Sequence, residues 1–284
     1  MTRAVMQAGA PPIRAPERAA PPASEEVVPQ KPLVRMRNLD KVYSNGTVAL
    51  KNLNMDVYPQ EFISLLGPSG CGKSTALRIF AGLGAYNAGI MEWPQAMHDV
   101  SGKPEREVGF VFQEATLMPW ATVFDNVYLP FRLKNQSKAK VRERVNEVLE
   151  LVGLSAFAQA YPRELSGGMK MRVSIARALA PRPKLLLMDE PFAALDEITR
   201  TRLSNDLLNI WAGAKCTVMF VTHSVFESVY LSQRIVVMAA RPGRIIGELD
   251  IDAPYPRDKE FRLSPEYSAY CREVSNLLDQ AMRS

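Results

Sequence analysis

Small residues surround one lysine in Gly67-Pro68-Ser69-Gly70-Cys71-Gly72-Lys73-Ser74-Thr75, a spacing suited to cradling phosphates. Small side chains let backbone N–H groups approach phosphate oxygens, and a following helix turns its positive end toward them. In that pattern Lys73 reaches the β- and γ-phosphates of a nucleotide, and the Ser74 hydroxyl ligates Mg²⁺. Cys71, inside the loop, reads as a small filler rather than a redox switch. A second pair, Asp189-Glu190, closes the apolar run Leu185-Leu186-Leu187-Met188. A carboxylate at the end of a buried strand is costly to desolvate without a partner. Mg²⁺ held by Asp189 through its water shell is such a partner, and Glu190 can then polarise the attacking water as general base. Alone, the pair would also suit an ordinary turn; downstream of a phosphate loop the catalytic reading prevails. A third group, Leu165-Ser166-Gly167-Gly168-Met169, precedes an amphipathic run. It predicts a helix N-terminus where Ser166, Gly167 and Gly168 form a second anion cradle, though an ordinary capped helix start would look the same.

The elements that must position these groups are visible around them. Leu53, Met55 and Val57 alternate with Asn52, Asn54 and Asp56, the period of a half-buried strand. Phe62 to Leu66 run apolar into the glycine turn, and Ser74 to Leu83 read as helix, so the loop has the strand–turn–helix context it requires. Val141, Val145, Val148 and Val152 recur at helical spacing with Gly153 as a cap, predicting a helical patch between two strand-rich stretches. The runs 185–188 and 218–221 are continuously apolar, as buried parallel strands are. A weaker pattern after Gly247 ends in a helix around Glu273–Met282.

With Asp189-Glu190 following Leu165 to Met169, the chain resembles the ATP-binding-cassette (ABC) family over roughly residues 33–247. The resemblance implies an α/β fold: a P-loop NTPase (RecA-like) core, an antiparallel β subdomain and an inserted α-helical subdomain at about 114–178. The implied domains are a flexible Ala/Pro-rich tail at 1–31, a nucleotide-binding domain at 32–247 and a C-terminal extension at 248–284. It also implies roles residue by residue. Gln113 looks like the glutamine that senses Mg²⁺ and the lytic water. Ala194-Leu195-Asp196 looks like the D-loop, His223 like the switch histidine on the γ-phosphate, and Tyr43 like the aromatic that stacks on adenine, with Tyr58 as an alternative. ATP and Mg²⁺ are the implied cofactors. Each ATP would lie between the phosphate loop of one copy and the Ser166–Gly168 helix of a second, in a head-to-tail dimer.

Residues 224–245, with Arg241-Pro242-Gly243-Arg244, and Met169 in place of the commoner Gln are similar to the nitrate/sulfonate/taurine importer group. Ser224 departs from the Asp that many relatives carry after the switch histidine. The resemblance implies transmembrane permease subunits as partners, a periplasmic solute-binding protein as an indirect one, and a peripheral place on the cytoplasmic face of a bacterial inner membrane. Leu117, Met118, Pro119 and Trp120 form an apolar stretch on an expected loop, either a socket for a permease helix or part of this chain's own core. The rivals are an ABC exporter subunit and a non-transport ABC ATPase acting on DNA or ribosomes. One cassette without room for a coiled coil, and the Arg241–Arg244 resemblance, argue against them. With 284 residues, 47% hydrophobic, the chain can bury a real core. Its net charge of +5 comes from scattered basic residues among nearly as many acids, so nucleic-acid binding is not expected. Three distant cysteines fit a reduced compartment, and no apolar run reaches the ~18 residues of a membrane span.

Overall fold

The computed structural model describes residues 30–98 and 104–283. The segment 1–31, expected as a flexible tail, lies almost wholly outside the described residues. In chain order the elements are β1 (Val34–Val42), β2 (Val48–Val57), β3 (Phe62–Leu66), α1 (Lys73–Phe80), β4 (Ala88–Glu92) and β5 (Val108–Val111). Three helices follow, α2 (Val123–Leu133), α3 (Lys138–Leu151) and α4 (Gly167–Leu179). Then come β6 (Leu185–Asp189), α5 (Glu197–Ala214), β7 (Thr217–Thr222), α6 (Val225–Leu231), β8 (Arg234–Ala239), β9 (Arg244–Asp250), α7 (Lys259–Leu263) and α8 (Pro265–Arg283).

The larger sheet has the order β5-β6-β7-β3-β8-β9, parallel except for the β8–β9 pair. Its central strands β3, β6 and β7 are almost continuously apolar, with Ser64 the one polar residue inside them and Asp189, Thr217 and Thr222 at their ends, because both faces are covered. Phe62 and Leu66 of β3, Leu186 and Met188 of β6, and Val218 and Phe220 of β7 enter one core with the helices α2 to α6. The alternate residues Ile63, Leu65, Leu185, Leu187, Met219 and Val221 enter a second core with α1 and the smaller sheet. One-residue alternation thus divides each continuous run between two layers.

The smaller sheet, β2-β1-β4, is antiparallel. Its register shifts between Met36 and Leu39, where Asn38 and Asn52 take φ of 49° and 51°. Asparagine tolerates this left-handed region, and the Asn54 side chain holds the bulge by accepting from the Asn38 N–H and donating to the Asn52 carbonyl. The bulge lets both Leu50 and Leu53 point inward despite their odd spacing.

Helices α2–α4 lie between β5 and β6 and join the first core through Val123, Val127, Val141, Val145, Val148 and Met171. The α3 helix ends as the valine spacing predicts. Gly153 sits at φ 69°, its N–H bonds to Glu150 O, and the Leu154 N–H bonds to Leu149 O, closing a Schellman turn. β9 runs through Gly247, and α8 begins at Pro265 rather than near Glu273, packing on α6, β8 and β9. The C-terminal segment is tied down by Arg257, which is only 5% exposed. Its guanidinium donates to the carbonyls of Val229, Tyr230 and Ser232 at the end of α6, and to Ile251 and Ala253. It also lies over the Tyr255 ring, 4.3 Å from the centroid. A cation at a helix C-terminus offsets the negative end of the helix dipole.

Candidate functional site

Strands β6, β7 and β3 are neighbours and parallel, so their C-terminal ends bring distant segments together. The phosphate loop follows β3, Asp189-Glu190 ends β6, and His223 follows β7. Gly70 and Gly72 take φ of 77° and 96°. At Gly72 an added Cβ would meet Leu50 Cδ2 at 2.7 Å and Ala49 O at 2.9 Å, so both conformation and space require glycine. Gly67 is equally confined, with Met238 O 2.5 Å from where a Cβ would stand. Cys71 is fully buried in the second core, and burial pushes its thiol up from the ordinary range. It fills space beneath the loop rather than facing the cleft.

Lys73 is 4% exposed. Its ammonium donates to Gly67 O at 2.9 Å and Pro68 O at 3.1 Å, and lies 3.7 Å from Glu190 Oε1. The other oxygen, Glu190 Oε2, is 3.2 Å from His223 Nδ1. Glu190 is held at φ 46°, with its N–H bonded to Val221 O, a strained conformation fixed by the neighbouring strand. The Ser74 hydroxyl donates to Asp189 Oδ1 at 2.7 Å. Burial pushes the Asp189 carboxyl above the ordinary carboxylate range, opposed by the Ser74 hydrogen bond and reinforced by adjacent Glu190. Lys73, Ser74, Asp189, Glu190 and His223, separated by up to 150 positions in sequence, therefore form one charged cluster.

The cluster opens into a cleft of ≈ 390 Å³. Its far wall carries Tyr43, whose hydroxyl is 3.0 Å from Thr75 Oγ1 and whose ring is partly exposed, with Lys41 Nζ 5.1 Å from its centroid. Ser69 lines the floor, and Thr47, Val48, Ala49 and Arg241 complete the walls. These last four were not anticipated from sequence as site residues. Gln113 is exposed just beyond β5 and makes no hydrogen bond to the cluster among the described residues.

The segment after Gln113 is anchored to α4. Arg177 donates to Ala115 O and Thr116 O, at 3.0 and 2.8 Å. Buried Asn126 then holds the apolar loop, accepting from the Met118 N–H and donating to Met118 O and Ala121 O. Leu117 packs partly on the core, whereas Trp120 is 77% exposed.

Ser166, Gly167 and Gly168 lie elsewhere. Ser166 caps α4, accepting from the Met169 N–H at 3.3 Å, and both it and Gly167 are exposed. Gly168 is buried; a Cβ there would stand 3.1 Å from Thr199 Cγ2 and 3.6 Å from Leu203 Cδ1. Its smallness lets α4 pack on α5. A separate cleft of ≈ 310 Å³ is lined here by Ser166, Gly168, Arg172, Thr199 and Arg202, and shares no lining residue with the first.

Asp196 caps α5 by accepting from the Thr199 N–H, and Ser224 caps α6 by accepting from the Glu227 N–H. Serine and aspartate cap comparably, so Ser224 preserves the local geometry after His223. Glu227 accepts from the Thr222 hydroxyl at 2.5 Å and lies 3.5 Å from Arg200 Nε, while Arg200 also donates to Leu195 O. This chain of contacts joins the strand end before His223 to the turn after Glu190. Nothing local in the sequence announces it, since the partners meet only through the β6–β7 pairing.

The family model for the ABC transporter matches residues 50–193. An aliphatic sulfonates import ATP-binding protein of Bacillus cereus is 44% identical, covering 80% of this chain and 89% of its own length. A nitrate import ATP-binding protein of Synechocystis sp. is 41% identical, over 86% and 94% of the two chains. Among solved structures, a dimeric ATP-binding cassette with ADP and inorganic phosphate, in a post-hydrolysis state, superposes with a TM-score of 0.65 at 33% identity. It spans 78% of this chain and 100% of that one.

Proposed function

The chain belongs to the ABC transporter family as an ATP-hydrolysing, ATP-binding subunit, and from that premise we propose that it energises permease-mediated import of a small solute of the nitrate, sulfonate or taurine kind. The observation that carries the catalytic assignments is the meeting of Lys73, Glu190 and His223 beside the Ser74–Asp189 hydrogen bond, at a cleft that Lys73, Ser74 and Glu190 line. The loop N–H groups and Lys73 bind the phosphates, and Tyr43 offers its ring to the base. Glu190, with one oxygen toward Lys73 and the other toward His223, takes a proton from the attacking water. His223 steadies that carboxylate and the departing γ-phosphoryl group.

The residues present fit Mg²⁺. Ser74 and Asp189 supply hard oxygen ligands, and the desolvated Asp189 carboxyl, next to Glu190, would gain a directly bound counter-charge. Among the described residues no group of three His, Cys, Asp or Glu stands ready to cage a metal, which suits an ion held mainly by phosphates and water. Gln113 would join this ion and the water from the loop after β5. The ion's chemistry is to neutralise charge on the phosphates.

Two copies work together, as dimeric cassettes of this family do. In our reading the exposed Ser166 and Gly167 of one copy close on the γ-phosphate held by the other. The Leu117–Trp120 loop, braced by Asn126 and Arg177, is the surface that meets the permease. Among the described residues no helix is long and apolar enough to cross a membrane; attachment at the cytoplasmic face would come through that partner. A periplasmic solute-binding protein would present the solute from the other side. Support for import comes from the sulfonate and nitrate relatives.

Glu190→Gln should bind ATP, lose hydrolysis by at least a hundredfold, and shift to an ATP-dependent dimer on gel filtration. Wild-type turnover in that variant would remove the base assignment. The importer reading is tested by reconstituting the chain with its permease and measuring uptake of nitrate, alkanesulfonates and taurine. Outward movement of solute would overturn it.

A further inference from the structure

The turn Arg241-Pro242-Gly243-Arg244 stands out in the sequence and is used by none of the catalytic contacts. It joins β8 to β9 and is wedged between the phosphate loop and β2. The Gly243 N–H donates to Ala49 O at 3.1 Å, and the Gly243 carbonyl accepts from the Lys51 N–H at 2.9 Å. A Cβ on Gly243 would stand 2.2 Å from Cys71 O and 2.6 Å from Ala49 O. Only glycine permits so close an approach, and the turn is thereby locked to both walls of the nucleotide cleft. Two residues earlier, Arg241 is held at φ 57°, in the left-handed region. It is exposed, lines the cleft with Tyr43 and residues 47–49, and makes no hydrogen bond or ion pair with the described residues.

A strained backbone, fixed by its neighbours, thus presents an uncommitted guanidinium to a phosphate-binding cleft. We propose that Arg241 is a nucleotide-contacting residue that pairs with the α-phosphate end of the bound nucleotide. The strand order β6-β7-β3-β8 places Glu190 and His223 on one flank of the phosphate loop and Arg241 on the other, beside the Tyr43 wall. Arg241 therefore faces the part of the ligand that ATP and ADP share, not the γ-phosphate. A planar guanidinium fork matches phosphate oxygens in pairs, and its role is affinity rather than sensing of hydrolysis.

The inference rests on the assignment of this cleft to nucleotide, and the experiment separates the two. Isothermal titration with ATP and with ADP, each with Mg²⁺, is carried out on the full chain and on Arg241→Gly, Arg241→Gln and Lys73→Ala. Arg241→Gly also relieves the left-handed strain, so its Tm should not fall; Arg241→Gln keeps length without charge. Both should weaken ATP and ADP by about tenfold and by the same factor, equivalent to ~1.4 kcal/mol. Unchanged affinity in Arg241→Gly, or a loss confined to ATP, overturns the role of Arg241. If Lys73→Ala bound ATP as tightly as the parent chain, the nucleotide assignment itself would fall.

Discussion

Glu227 shows how much a single side chain can report. It is a largely buried carboxylate, and burial pushes its carboxyl up more strongly than the Thr222 hydroxyl and Arg200 pull it down. Because the folded value exceeds the unfolded one, the folded chain keeps this proton to higher pH. The stability it contributes is full below the ordinary carboxylate range and is lost as pH rises through the raised value. Glu227→Gln, which cannot ionise, should therefore gain Tm relative to the parent chain between pH 4 and pH 8. A difference of ~1 kcal/mol would read as roughly 2–4 °C. If the variant instead loses ground as the pH rises, pairing with Arg200 outweighs burial.

At the scale of elements, Arg257 makes the C-terminal segment part of the fold. It satisfies carbonyls from the end of α6 and from the chain just after β9, and among the described residues no carboxylate hydrogen-bonds to it. Arg257→Ala would leave several buried acceptors without donors, at roughly 1–3 kcal/mol each before relaxation. A loss of about 3 kcal/mol or more in urea unfolding is expected; a change within ~0.5 kcal/mol would mean that water replaces the guanidinium at little cost. This contact also explains what could be read in advance and what could not. Lys73, Asp189, Glu190 and the α3 valines were legible because each carries its own local spacing: a glycine loop, a strand ending in acids, a helical period. The strand–turn–helix order around the phosphate loop was legible for the same reason. Arg257, Arg241 and the Glu227–Arg200 link were not, because strand order creates their neighbourhoods. The early start of α8 escaped notice because Tyr267, Cys271 and Val274, its buried face, are spread among polar residues. Gly168 carries a second constraint that its local sequence does not announce. Beyond the anion cradle expected of it with Ser166 and Gly167, its small size also lets α4 pack on α5.

For the whole molecule, closing two copies from 1:99 to 99:1 takes about 5.5 kcal/mol, or roughly half of that for each nucleotide. In the proposed two-copy closure, a few charge-assisted hydrogen bonds at ~1.5–3 kcal/mol would supply this. The Ser166 cleft and the Lys73 cleft have no lining residue in common, and this separation has a genetic consequence. A two-fold pair would contain two composite chambers, each drawing on both copies. When a Lys73→Ala copy pairs with a Ser166→Arg copy, both lesions fall in one chamber and the other is whole. Two inert preparations, mixed, should thus complement each other to about a quarter of the parent rate, since half the pairs are hybrids with one sound chamber apiece. Silence from the mixture would mean that a copy's injuries stay its own.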